Sequence, residues 1–224
     1  VTAGGVDQRL VPGLGMAVTF GTVSPTNPAT ASVLEADMKI SGLTISDTTN
    51  GVKWLRDGHS LAIGSGGITI SASVLASSIE ADMVMNASQL WVNQSANPLT
   101  VSGNISGNLA TGLGNVSLAT EGSGQVILTG VSHINGDVMI QSRSSLVIKD
   151  GGKLTSQGSR VICPQDTGEN HSYLLVTGDG SNFTTTNRFN MGGHLSLTHQ
   201  ISTSFFREGA LSCCRIGATP KGMR

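Results

Sequence analysis

Charge is scarce in this 224-residue chain: Asp, Glu, Lys and Arg make up 12% of it, about half the share of an ordinary globular domain. The 13 Lys and Arg nearly balance the 14 Asp and Glu, so the formal net charge is -1. That excludes the basic footprint a nucleic acid requires. Aromatic residues are fewer still, with 5 Phe, 2 Trp and 1 Tyr. A β-sandwich core of this size normally uses more. No run of 18 apolar residues occurs, so this segment does not insert into a membrane as a helix. Three Cys offer neither a paired disulfide framework nor a metal-ligand spacing. Their near absence from the first 200 residues suits an exported bacterial protein that does without disulfides.

What is present is aliphatic and hydroxylic. Hydrophobic residues reach 38%, too many for a disordered chain. Beside them stand 30 Gly, 28 Ser, 22 Thr and 13 Asn. The surface is therefore solvated by hydroxyls and amides rather than by ions. The chain opens Val1-Thr2-Ala3-Gly4-Gly5, without an initiator Met or a basic-then-apolar leader. Either a signal was removed or the segment begins inside a longer protein. Residues 205–224, FFREGALSCCRIGATPKGMR, differ from everything before them and hold Cys213 and Cys214. Two readings stand for this stretch, a redox or metal site and an irregular tail unrelated to the fold, and the second is preferred. Residues 1–29 read as an N-terminal lead-in, 30–204 as the repeat domain and 205–224 as the tail.

Short apolar runs recur through the middle: 61–63, 68–70, 83–85, 90–92, 99–101, 126–128, 138–140, 146–148, 174–176 and 195–197. Gly, Asn, Ser or Asp closes nearly all of them. Short runs bounded by turn formers predict strands. Segments 31–40 and 76–85 contain good helix formers, yet they resemble each other. Leu34-Glu35-Ala36-Asp37-Met38 matches Ile79-Glu80-Ala81-Asp82-Met83 at an offset of 45 residues. Both are read as the starts of strands within an internal repeat. Taking strand starts at 61, 83, 99, 126, 146, 174 and 195 gives a mean spacing of about 22 residues. The expected fold is all-β: a right-handed parallel β-helix, or β-solenoid, with coils of about 22 residues. Ile63, Val101, Leu128 and Ile148 are expected to stack inward.

The stretch 122–148, GSGQVILTGVSHINGDVMIQSRSSLVI, resembles the autotransporter-associated β-strand repeat. Gly122, Gly124, Leu128, Gly130, Gly136 and Leu146 occupy its typical places. Asp137 stands where Thr is usual, and Ser144-Ser145 where Ala-Gly is. Residues 61–68 and 99–107 look like coils that precede that repeat, and 176–183 like a related Gly-Ser-x-aromatic coil. The resemblance implies a right-handed parallel β-helix within an exported passenger domain, outside the cell or on the outer-membrane surface of a bacterium.

A search for chemistry starts from the carboxylates. Parallel β-helices include polysaccharide lyases and hydrolases, whose sites need clustered acids with a base on one face. Here the acids are scattered. Glu35/Asp37 and Glu80/Asp82 are the closest pairs, and spacing of two on a strand puts both on one face. Stacked two coils apart, they would make an acidic strip able to hold Ca²⁺ weakly, or a solvated edge near a corner. His59, His133 and His171 read as isolated loop residues. His194 and His199 are spaced so that one strand would face them oppositely. Trp54 and Trp91 could be sugar platforms or half-buried strand residues. Six Asn-x-Ser/Thr sequons, at Asn86, Asn93, Asn104, Asn115, Asn170 and Asn182, fit stacked corner amides better than glycosylation. No phosphate-binding loop is present, and no catalytic, cofactor-binding or metal residue is assigned. Two functions remain: a structural or adhesive surface module that meets glycans or surface proteins, favoured here, and a polysaccharide-active enzyme on the same fold.

Overall fold

Aliphatic triplets cut by Gly, Asn and Ser are long enough for a strand and too short for a helix. The computed structural model describes residues 2–3, 6–7, 13, 15–21, 31–49, 51–107, 117–158, 160–163, 172–185, 188–191 and 194–197. Within them every regular element is a strand. The chain winds into a parallel β-solenoid of about 5 turns, with about 24 residues per turn. Among the described residues, the one antiparallel pairing joins Thr2–Ala3 to Val6–Asp7. The segments that carried helix formers contain no helix: strand Met38–Ile45 starts at the end of the first, and strands Ser77–Ile79 and Asp82–Met85 make up most of the second.

Each turn contributes three strands. Ser77–Ile79, Asp82–Met85 and Gln89–Asn93 make one turn, and Gln125–Leu128, Val131–Ile134 and Val138–Ile140 another. The first strands of successive turns form a 7-stranded sheet, the first face. The second and third strands belong to a 13-stranded sheet that wraps two faces. These two faces are joined by strand Ser60–Ile70, which runs on through the corner at Gly64-Ser65-Gly66-Gly67. Its start pairs with Asp82–Met85 and its end with Gln89–Asn93.

Parallel stacking about 4.8 Å apart places equivalent side chains in ladders. On the first face Trp54, Ile79, Val101, Leu128, Ile148 and Val176 succeed one another inward, all buried. On the second, the row is Leu61, Met83, Ile105, Ser132, Leu154 and Phe183. On the third, Leu43, Ile68, Trp91, Thr120 and Ile140 follow in order. The four residues expected to point inward, Ile63, Val101, Leu128 and Ile148, are fully buried. Burying one such aliphatic side chain contributes about 1.5–3 kcal/mol.

The turn is longer than the 22 residues expected. Along the first face, Lys53, Ser78, Thr100, Ile127, Val147, Leu175 and Ser196 are in register, at steps of 25, 22, 27, 20, 28 and 21 residues. The strand starts 61 and 83 lie on the second face, whereas 99 onward lie on the first. The short gap between 83 and 99 is therefore a passage between faces, which pulled the mean down. The parallel ladder also reaches into the expected lead-in, since Ala17–Phe20 pairs with Met38–Ile45. Phe20 meets the Trp54 ring edge-on, with centroids 4.9 Å apart. The boundaries at 29/30 and 204/205, and the segment 205–224, lie outside the described residues.

Polar groups inside the stack tie neighbouring turns together. Asn93 is fully buried at the corner after the third face. Its Nδ2 donates to the Asn97 carbonyl at 3.0 Å and to the Gln125 carbonyl, one turn on, at 2.9 Å. Its Oδ1 accepts from the Ser95 N–H at 3.0 Å. Ser95 Oγ and Asn97 Nδ2 both donate to the Val74 carbonyl of the preceding turn. One Asn-Ser-Asn corner thus joins three turns. It is not the Asn-on-Asn stack expected, because each amide bonds to backbone rather than to another amide. The same corner explains Gly122 and Gly124. A Cβ on Gly122 would collide with the Asn93 carbonyl, and one on Gly124 with the Asn93 side-chain amide. Gly122 also holds a left-handed φ of 96°.

Candidate functional site

The corner between the first and second faces collects the charged residues that the sequence singled out. Strand pairing sets Met38, Leu61 and Met83 in one column, on three successive turns. The 45-residue repeat is therefore a real two-turn stack, with Asp37 and Asp82 just ahead of equivalent positions. The turn between them carries Lys53, Arg56, Asp57 and His59.

Four carboxylates at this corner, those of Asp37, Asp57, Glu80 and Asp82, are engaged. Asp37 Oδ1 accepts from the Ser60 N–H at 2.8 Å and the Ser60 hydroxyl at 3.1 Å, one turn on. His59 Nδ1 lies 3.8 Å from the same oxygen. Asp57 Oδ2 accepts from the Glu35 N–H at 2.6 Å, and its Oδ1 from the His59 N–H at 3.1 Å. Glu35 itself adopts a left-handed backbone, with φ 60°. Asp82 Oδ1 accepts from the Asn104 N–H at 2.8 Å and from Arg56 Nη2 at 3.0 Å. Lys53 Nζ lies 2.9 Å from Glu80 Oε1. The Asn104 amide oxygen extends the series, accepting from the Val131 N–H at 3.2 Å.

Hydrogen bonds to the ionised form lower a carboxyl pKa. The Ser60 N–H holds Asp37 below the ordinary value of 3.8, helped by the Ser60 hydroxyl and by the charges of His59 and Lys39. The Glu35 N–H does the same for Asp57, helped by the His59 N–H.

The expected acidic strip is therefore a mixed ridge. Cations of the intervening turn stand between the two acidic pairs, which removes the concentrated negative charge a Ca²⁺ site needs. Among the described residues no group of three or more His, Cys, Asp or Glu is placed to hold a metal ion. Sequence reasoning missed Lys53 and Arg56 as partners. They lie midway between the two halves of the repeat, and the irregular corner lengths hide that alignment. A base lying about one turn from each acid was the available signal.

The remaining candidates separate. Trp91 is fully buried, with its indole N–H donating to Gln89 Oε1 at 2.8 Å, while Gln89 Nε2 donates to the Ile63 carbonyl at 2.6 Å. Trp54 is 5% exposed and packs on Phe20. Neither ring is available to a sugar. His133 is in strand Val131–Ile134, exposed, rather than in a loop as expected. His194 is opposite Tyr173 on the first face. His171, His199, Asn115, Asn170, Cys213 and Cys214 lie outside the described residues. Cys163 pairs in register with Met191. Asn93 is buried and Asn104 exposed among the sequon residues.

Fold and corner together define a parallel β-solenoid whose charged ridge fastens one turn to the next. Comparison with protein-family models, with curated proteins and with solved structures finds no match for this chain.

Proposed function

We propose that this chain is a segment of an exported bacterial surface protein, structural or adhesive in role and without a catalytic site of its own. The observation that carries the reading is the engagement of the ridge carboxylates. Asp37, Asp57 and Asp82 accept backbone N–H groups across turns, and Glu80 and Asp82 pair with Lys53 and Arg56. Acids engaged in this way fasten turns and are poorly disposed to protonate a leaving group or activate a water. The repeat resemblance supports the same reading, because residues 125–148 make one complete turn and the first strand of the next. Outward polar rows such as Thr19, Thr44 and Thr69, and Ser106, His133, Thr155 and Thr184, run along the stack and are suited to glycans or surface proteins at the bacterial exterior.

Three measurements test this. The purified chain, immobilised and exposed to an array of glycans and to extracellular matrix proteins, should retain at least one of them. Incubation with acidic polysaccharides, with and without Ca²⁺, should release no product above buffer. Product release that one Asp→Asn change abolishes would establish the enzyme reading instead. Protease treatment of intact cells expressing the protein should degrade it; full protection in cells whose outer membrane remains closed would overturn the surface assignment.

A further inference from the structure

We draw no further inference here: the strongest candidate, the outward apolar row of Ile127, Val147 and Leu175 on the first face, carries nothing, because Ile127 and Val147 are only 6% and 4% exposed and nothing in the structure shows what covers them.

Discussion

Ser132 shows how much a single position matters in a ladder. It points inward between Ile105 and Leu154 and is fully buried. Other buried hydroxyls have partners: Ser144 Oγ donates to the Thr120 carbonyl at 2.9 Å, and Ser156 Oγ to the Gly136 carbonyl at 3.1 Å. Ser132 Oγ has none among the described residues. A buried hydroxyl without a partner costs about 1–3 kcal/mol, and Ala removes it with almost no change of shape. Ser132→Ala should therefore stabilise the protein by about 1 kcal/mol, read as a higher urea midpoint at constant slope. A lower midpoint would mean that the hydroxyl is bonded after all. The control is Ser144→Ala, which removes a satisfied hydroxyl facing Thr120 and should destabilise by about 1 kcal/mol.

At the scale of the element, the corner ridge predicts a response to acid. Asp37 and Asp57 both ionise more easily in the folded protein than their ordinary value of 3.8. A depressed folded pKa stabilises above the unfolded value, and that contribution disappears as pH falls through the folded one. The melting temperature should thus drop as pH is lowered below 3.8. The double variant Asp37→Asn, Asp57→Asn should lose stability at neutral pH and show a shallower acid slope. Parallel curves for the two proteins would show that these carboxyls are not acid-sensitive fastenings. Charge alternation along the ridge has a related cause. Like charges directly opposite on neighbouring strands repel, and the turn between the Glu35/Asp37 and Glu80/Asp82 pairs supplies Lys53 and Arg56 to the second pair, beside the backbone-bonded Asp57.

The same elements show what could be read in advance. All ten apolar runs lie within strands, since a run of alternating or continuous aliphatics between turn formers has few other uses. Strands such as Lys153–Ser156 and Asn182–Thr185 escaped notice, because each sends only one large apolar side chain inward, Leu154 or Phe183. A side of a narrow solenoid needs no more. Hydrophobic pattern alone therefore finds the rich faces and overlooks the lean ones. The acidic pairs of the ridge were legible through the 45-residue repeat. Their cations were not, because Lys53 and Arg56 belong to a turn whose corners differ in length from its neighbours.

For the whole molecule, the decisive property is that each turn touches mainly the turns beside it. Stability is then close to a sum of turn and interface terms, and damage spreads through neighbours before it reaches the rest. Leu128 is a suitable place to test this. It is fully buried in mid-stack, between Val101 and Ile148 on the first face. Leu128→Asp would place an unpaired charge there, at a cost of several kcal/mol. Native-state hydrogen exchange should then accelerate most in Gln125–Leu128 and in the flanking Leu99–Val101 and Ser145–Ile148. Amides in Met38–Ile45, four turns away, should change least. Equal acceleration of all strands would instead mean that the solenoid opens as one cooperative unit, and the nearest-neighbour description would fail. Complete loss of soluble variant can be met with Leu128→Ala, whose cost of about 2–5 kcal/mol keeps the same ordering of exchange rates measurable.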